Sequence, residues 1–374
     1  VRQARELVER VGLPVLVRPS YVLGGRAMRV VYSSEELDRV VAAALEVDPD
    51  RPVLVDRYLP GVELEVDAIG DGTNLLLPGL MQHVERAGVH SGDSMTVFPA
   101  PAQPPEVASR VVEILQALNR ALGVRGFLNA QFVVHHYRVY LLEVNLRASR
   151  TVPFVSKVLG VPLVQVATRV MLGASLDELG FPGVYHLPRP RQVGVKAPVF
   201  SSEKLPGAEV AVGPEMRSTG EVIGLDRHLA GALYKAFVAA GVRLPLQGPV
   251  VLSVARRERG EAVRLARRAV AGGLVVWATP GTSEALQRAG VPHRRVEYEE
   301  ALAAVRGRRV GAVVCVPSSG YDPTRPGFRL RRAASEARVP CLTSLETAWA
   351  LLDALEFGAS VPVPQPTAGP AALG

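Results

Sequence analysis

A chain of 374 residues, 48% hydrophobic and 21% charged, can bury two or three cores and has the balance of an ordinary globular protein. No apolar run approaches the roughly 18–20 residues that cross a bilayer, and no signal-like segment opens the chain, so a cytoplasmic setting without a membrane partner is expected. The net charge of +7 does not make a nucleic-acid binder: aromatics are 5%, basic residues are scattered, and only Lys157, Lys196, Lys204 and Lys235 are not arginine.

Val1 stands just before a helix-like segment, Ala4 to Val11, with no initiator methionine, the pattern left by processing or truncation. Leu13 to Val17 reads as a strand, Ser20 to Gly25 as a loop and Met28 to Tyr32 as a second strand. Ser33-Ser34-Glu35-Glu36 is a capping box ahead of an apolar stripe at Leu37, Val40, Val41 and Ala44, which predicts a helix; Pro52 to Val55 is the next strand. Glu63 to Ile69 is expected to pair with Leu75 to Leu80. The Pro-rich connector Pro99 to Pro105 leads into a helix from Glu106 to Leu122. Phe127 to Val134 and Val139 to Val144 make a predicted hairpin around His135-His136-Tyr137-Arg138, followed by helices within 153–175 and a Pro-rich loop over 181–191.

After a helix ending near Gly241, Leu244-Pro245-Leu246-Gln247-Gly248-Pro249 has the composition of a linker. Beyond it strands (Val250–Val254, Leu274–Ala278, Val310–Val316, Cys341–Leu342) alternate with helices (Glu261–Ala271, Ser283–Ala289, Arg329–Ala337, Leu345–Leu355). That alternation predicts a small parallel α/β sandwich of about one hundred residues. The expected division is a first domain at 1–242, a linker at 243–249, a second domain at 250–357 and a disordered Pro- and Ala-rich tail at 358–374. Cys315 and Cys341 lie in apolar stretches without a Cys or His at metal spacing, and read as buried reduced thiols.

The sharpest chemical constellation is Gln131, Glu143 and Asn145. Side chains alternate along a strand, so Glu143 and Asn145 share a face, and a hairpin centred near Tyr137 sets Gln131 opposite Glu143. Three oxygen-bearing groups then converge, as a hard cation such as Mg²⁺ requires; the plain alternative is the polar face of a half-exposed hairpin. Arg147 and Arg150 follow directly, where a transferring phosphoryl group needs compensating charge. Arg18-Pro19-Ser20-Tyr21-Val22-Leu23-Gly24-Gly25-Arg26 offers paired glycines and flanking arginines, and Gly88-Val89-His90-Ser91-Gly92-Asp93-Ser94 is a second small, polar loop. Neither is a Walker loop or a dinucleotide-binding turn.

Residues 18–28, 87–94, 143–157 and 213–222 together resemble, in order, the second ATP-grasp half of the carbamoyl-phosphate synthetase large subunit. The following domain is similar to that family's methylglyoxal-synthase-like regulatory domain, so the chain resembles the C-terminal part of that subunit. The resemblance implies an incomplete ATP-grasp domain of α/β and α+β class, its front subdomain missing, ahead of the parallel-sheet sandwich. It implies a ligase that phosphorylates carbamate with ATP and Mg²⁺ or Mn²⁺, within glutamine-dependent carbamoyl-phosphate synthesis for pyrimidine and arginine biosynthesis. Its implied partners are a glutamine amidotransferase small subunit and the N-terminal half of the large subunit. Carried over by motif, Arg18, Arg57, Leu59, Glu63, Gly88, Val89, His90, Ser91, Gln131 and Glu143 hold the nucleotide, with Glu63 on the ribose. Gln131, Glu143 and Asn145 ligate metal, and Arg147 and Arg150 face the phosphoryl group and the carbamate.

Leu146 and Ser149 depart from the family pattern in tolerable ways, and position 57 is often histidine in relatives. In the second domain, Ser253, Thr279, Thr282 and Ser318 match positions that hold a small-molecule effector, with Arg259 the basic residue in reach. The loop Val316-Pro317-Ser318-Ser319-Gly320 lacks the Asn and Thr of nucleotide-responsive members, so a retained fold with altered or absent effector binding stands beside that expectation. Another ATP-grasp ligase, such as a biotin carboxylase or a peptide ligase, fits poorly, because it predicts other sequence around Glu143 and no trailing domain. The alternative from another class is a non-catalytic nucleotide-binding or regulatory fragment, inactive without the N-terminal half.

Overall fold

The computed structural model describes residues 2–20, 24–47, 50–201, 204–205, 207–318 and 324–360. Helices α1 (Arg2–Val11) and α2 (Ser34–Val47) back a three-stranded antiparallel sheet of β1 (Val15–Pro19), β2 (Arg29–Val31) and β3 (Val53–Arg57), ordered β2-β1-β3. Alternation in β1 sends Val15 and Val17 into a core with Val31, Leu37, Val41 and Ala44, and leaves Arg18 on the other face.

A nine-stranded sheet follows: β4 (Val62–Gly70), β5 (Leu75–Leu77), β6 (Met81–Arg86), β7 (Thr96–Phe98), β8 (Gly126–His135), β9 (Arg138–Asn145), β10 (Val184–His186), β11 (Val193–Val199) and β12 (Gly220–Asp226). Its helices are α3 (Pro105–Leu122), α4 (Thr151–Leu159), α5 (Leu163–Met171) and α6 (Leu229–Ala239). Strand β4 sorts its side chains by period two. Leu64, Val66 and Ala68 enter the core under α3 with Leu115, Leu128 and Phe132. Glu63, Glu65 and Asp67 project from the opposite face, across from Val133, Gln131 and Asn129 of β8. Ile69, Phe98, Phe154 and Val155 close the far end of that face under α4 and α5.

The expected parallel α/β unit is present. Strands β13 (Val250–Val254), β14 (Val276–Ala278), β15 (Arg294–Arg295), β16 (Ala312–Val316) and β17 (Cys341–Leu342) are ordered β15-β14-β13-β16-β17. Helices α7 (Arg259–Ala271), α8 (Pro280–Arg288), α9 (Tyr298–Arg306), α10 (Pro326–Glu336) and α11 (Leu345–Ser360) surround them. The segment 243–249 does not separate two independent cores. One apolar cluster runs from Val97 and Val195 through Ala232 and Phe237 of α6 to Leu252, Leu351 and Leu352. Arg331, its side chain 5% exposed, forks onto Glu209 at 2.8 and 2.6 Å across the same junction. Breaking a buried pair of this kind by removing one partner costs about 3–5 kcal/mol.

Several elements lie where sequence pattern did not suggest them. Strands β6, β7, β11 and β12 are four of the nine strands of the large sheet, β10 lies inside the Pro-rich 181–191 stretch, and α9 and β15 are further additions. Helix α11 runs to Ser360, so residues 358–360 of the expected tail are helical; 361–374 lie outside the described residues. Cys315 is buried and Cys341 half-buried on neighbouring strands, both free, and burial pushes both thiols up. No single described helix is long and apolar enough to cross a membrane.

Gly224 on β12 is where α6 presses against the sheet, and a β-carbon there would run into the Ala232 carbonyl oxygen and the Ala236 nitrogen. Gly224→Ala is therefore expected to destabilise the fold by about 1–3 kcal/mol, measured by urea unfolding. An unchanged midpoint would show that α6 does not sit this close.

Candidate nucleotide and metal site

The β8–β9 hairpin turns on two residues, His136 and Tyr137, both at positive φ (48° and 62°), with His135 opposite Arg138. Carried unbroken along the ladder, that register would set Gln131 against Leu142 and turn Glu143 toward the α3 core. The ladder instead shifts between Gln131 and Phe132, leaving Leu142 unpaired. Beyond this bulge Gln131 faces Glu143 and Asn129 faces Asn145, the register expected from sequence. The three candidate metal ligands therefore share one face of the sheet.

Hydrogen bonds orient their amides. Asn145 Nδ2 donates to Glu143 Oε1 at 2.8 Å and to Asn129 Oδ1 at 3.4 Å, which leaves Asn145 Oδ1 as its acceptor for a cation. Gln131 Nε2 donates to Ser91 Oγ at 3.2 Å, and this turns Oε1 away from the loop. Asn129 Nδ2 donates to Glu65 Oε1 (2.8 Å) and Asp67 Oδ1 (2.9 Å), while Thr151 Oγ1 donates to Asp67 Oδ2 at 2.5 Å. An oxygen-rich set of this kind suits a hard cation that also takes phosphate and water oxygens.

Two basic residues that sequence reasoning passed over lie in the same polar face. His83 Nε2 is 3.1 Å from Glu65 Oε2, and Nδ1 is 3.4 Å from Glu63 Oε1 without hydrogen-bond alignment. Lys196, 1% exposed, donates from Nζ to the Ser91 carbonyl at 2.8 Å. The ladders align His83 with Thr96 and Thr96 with Lys196. The signals were the alternation in Met81–Arg86 and the rarity of lysine in an arginine-based chain.

Burial pushes the Glu63 carboxyl up to about 7, against the pull of His83, and burial with the adjacent Glu65 raises Asp67 to about 6. Burial also works against charge on Glu65, but the hydrogen bond and charge of His83 win and hold that carboxyl below its usual value. His83 itself is raised: burial opposes its charge, and Glu63 and Glu65 overcome it. Burial lowers Lys196 despite the surrounding carboxylates, and lowers His90.

The remaining sequence candidates are spread around this face. The Gly88–Ser91 loop abuts it through Ser91, and the His90 ring takes the Gly92 N–H at 3.0 Å. Arg150 is held by Ser218 Oγ (2.8 Å) and Glu221 (3.3 Å), whereas Arg147 is exposed and donates to the Ala148 carbonyl, so the two guanidinium groups do not act as a pair. Arg18 pairs with Asp56 at 2.8 Å on the first lobe and, among the described residues, makes no hydrogen bond or ion pair to the hairpin. Arg57 is exposed and Leu59 half-buried where the lobes join. Glu63, expected on a ribose, is 3% exposed beside His83. Tyr21–Leu23 of the glycine loop lie outside the described residues. A cavity of about 410 Å³ opens beside Gly88 and Val89, among Tyr32, Tyr58, Glu85, Arg217, Arg257 and Thr343. None of Gln131, Glu143 or Asn145 lines it.

In the second domain Ser253, Thr279 and Thr282 are buried at the carboxyl ends of the parallel strands, the side where such sheets bind ligands. Their hydroxyls are used internally: Thr282 Oγ1 accepts the Val254 N–H at 2.9 Å, Thr279 Oγ1 donates to the Leu252 carbonyl, and Ser253 meets the Tyr298 hydroxyl at 3.3 Å. Arg259 lies against Gly281 at the start of α8. Ser318 is exposed and takes Arg325 Nη1 at 2.9 Å; Ser319 and Gly320 lie outside the described residues.

Residues 1–179 match the family described as carbamoyl-phosphate synthase L chain, ATP binding domain, and residues 261–343 match the MGS-like domain. Over 364 residues, 96% of this chain, the sequence is 50% identical to the carbamoyl phosphate synthase large chain of Thermomicrobium roseum. The chain spans 34% of the length of that relative. Among solved structures, the biotin carboxylase of Campylobacter jejuni, crystallised as a β,γ-ATP complex, superposes with a TM-score of 0.50 at 18% identity. The match covers 64% of this chain and 59% of that one, and it establishes a shared ATP-grasp-type fold alone.

Glu63 supplies a test of the buried row. Its folded value of about 7 stands above the usual 4.5, so the folded state holds the proton more tightly, and stability falls as pH rises between these two values. The melting temperature of Glu63→Gln relative to wild type is therefore expected to climb across that window, followed by differential scanning calorimetry. A flat difference would show that Glu63 is not buried as described.

Proposed function

We propose that this chain, a homologue of the carbamoyl phosphate synthase large chain that carries its ATP-binding domain and an MGS-like domain, phosphorylates carbamate with ATP. The observation that carries the reading is the convergence of Gln131, Glu143 and Asn145 on one sheet face beside Ser91. In the reaction a carbamate oxygen bonds to the γ-phosphorus, the bond to the β,γ-bridging oxygen breaks, and that electron pair leaves with ADP. Little covalent chemistry is left for the protein, so positioning and charge compensation carry the rate.

Each side chain has a task that follows from its surroundings. Gln131 Oε1, Glu143 and Asn145 Oδ1 would hold Mg²⁺ or Mn²⁺, oriented by Ser91 and Asn129. The bound metal would offset charge on the β- and γ-phosphates. The Gly88–Ser91 loop would lie along the phosphates, held by the His90 N–H on the Gly213 carbonyl and by Lys196 on the Ser91 carbonyl. Arg150, anchored by Ser218 and Glu221, faces the transferring group, with Arg147 at the exposed rim. Arg18, Arg57 and Leu59 would meet the nucleotide from the first lobe and the hinge, and Glu63 from beneath.

The same reading assigns residues 1–242 to the ATP-grasp unit and 250–357 to an allosteric one. An effector phosphate would meet the backbone amides of Gly281 and Thr282 together with Arg259, since the Thr279 N–H and hydroxyl both go to the Leu252 carbonyl. A glutamine amidotransferase small subunit and the rest of the large chain would deliver the carbamate. Cytoplasmic pyrimidine and arginine synthesis is the setting this implies.

In the complete enzyme carrying this segment, Glu143→Gln is expected to lower ATP formation from ADP and carbamoyl phosphate by roughly 10²–10³-fold with the melting temperature preserved. Wild-type rates in that assay would remove Glu143 from the metal site.

A further inference from the structure

Between β3 of the first lobe and β4 of the large sheet runs the connecting segment Tyr58-Leu59-Pro60-Gly61. The Pro60 carbonyl accepts His135 Nδ1 at 2.8 Å, and the Gly61 carbonyl accepts the Ala87 N–H at 3.0 Å. Tyr58 is bonded at both ends. Its N–H donates to the Pro14 carbonyl of the first lobe at 3.1 Å, and its hydroxyl donates to the Ala87 carbonyl at 2.6 Å. Ala87 is thus gripped through both of its backbone polar groups, immediately before the Gly88–Ser91 loop.

The Tyr58 ring adds contacts to both parts it joins. It meets Tyr32 of the first lobe edge-on, with ring centroids 6.5 Å apart, and it lies against Gly88. Gly88 has a φ of +102°, and a β-carbon there would come within 2.9 Å of Tyr58 Cε2, so glycine is what lets the ring reach the loop. Burial raises the Tyr58 phenol above its usual value, which keeps the hydroxyl protonated and a donor. Ala87 is only 7% exposed, so its carbonyl would gain little from solvent if the phenol were lost.

We propose that Tyr58 is a positioning residue for the nucleotide: its hydroxyl holds Ala87, and with it the start of the 88–91 loop, at a fixed spacing from the segment that carries Leu59. The proposal rests on the reading of Leu59 and Gly88–Ser91 as two sides of one nucleotide site. The far end of the loop has its own fixings, since the His90 N–H donates to the Gly213 carbonyl at 2.8 Å and Ser91 meets both Gln131 and Lys196. Loss of the phenol hydroxyl therefore frees the start of the loop and leaves its end in place. Among the described residues Tyr58 makes no hydrogen bond to Gln131, Glu143 or Asn145. Its effect falls on how well the nucleotide is held and not on the transfer step.

Y58F keeps the ring and removes the hydroxyl. In the complete enzyme carrying this segment, it is tested by the kinetics of ATP formation from ADP and carbamoyl phosphate and by hydrogen exchange. Y58F is expected to raise the KM for Mg²⁺-ADP about five-fold, to leave kcat within about two-fold of wild type, and to speed exchange of the Ala87 N–H while His90 keeps its wild-type rate. Y58L, which also takes the ring away from Gly88, is expected to raise KM at least as far. A wild-type KM in Y58F, a fall in kcat with KM unchanged, or faster exchange spread evenly over His90 and β8 would each overturn the proposal. Bound Mg²⁺-ADP is expected to slow exchange over 88–91 in wild type. If it saturates the reaction and leaves that stretch unprotected, the nucleotide reading fails and the proposal with it; wild-type values in Y58F beside a protected loop overturn the proposal alone.

Discussion

Side chains on a strand alternate between faces, so whether Glu143 and Asn145 meet Gln131 depends on whether β9 carries one extra residue. Leu142 is that residue. With it left out of the ladder, carboxylate and amides line up across β8 and β9 on the face opposite the α3 core. With it paired, Glu143 would turn toward Leu128 and Phe132, where no described group compensates a charge. The apolar core under α3 therefore enforces the bulge as much as the bulge enforces the site.

The polar face that results is unusually charged for the interior of a sheet. Glu63, Glu65 and Asp67 lie side by side, nearly inaccessible to water, with His83 and Lys196 as the nearby basic groups. Such a row persists because nearly every member is bonded: Asn129 bridges Glu65 and Asp67, Thr151 caps Asp67, and His83 leans on Glu65. Its raised carboxyls show where burial outweighs that bonding. The network runs without a gap from Asp67 through Asn129 to Asn145, so the stiffness of the buried row is passed to Asn145 at its edge.

Much of this was legible in the residues. The order of strands and helices beyond the linker followed from alternating apolar segments, and the Gln131–Glu143 pairing followed from the positions of the hairpin strands. The bulge was not legible, since a symmetric turn about Tyr137 and a two-residue turn with an unpaired Leu142 give the same pairing. Strand β11 escaped notice because Lys196 and Pro198 interrupt its apolar pattern, although the lysine is what the sheet positions. Thr279 and Thr282 show what spacing leaves open: their types suit a phosphate turn, and only the structure shows Thr279 giving its hydroxyl and N–H to the Leu252 carbonyl while Thr282 Oγ1 accepts the Val254 N–H. The shared core across 243–249 was hidden for a simpler reason: composition marks a flexible-looking stretch, not what packs on either side of it.

Anomalous scattering from crystals grown with manganese and ADP tests the central claim most directly. The account predicts one manganese peak within about 2.0–2.3 Å of oxygens from Gln131 and Glu143, with Asn145 Oδ1 beside it and a nucleotide phosphate completing the shell. A manganese peak bound elsewhere, with Gln131 and Glu143 empty beside an ordered nucleotide, would contradict it.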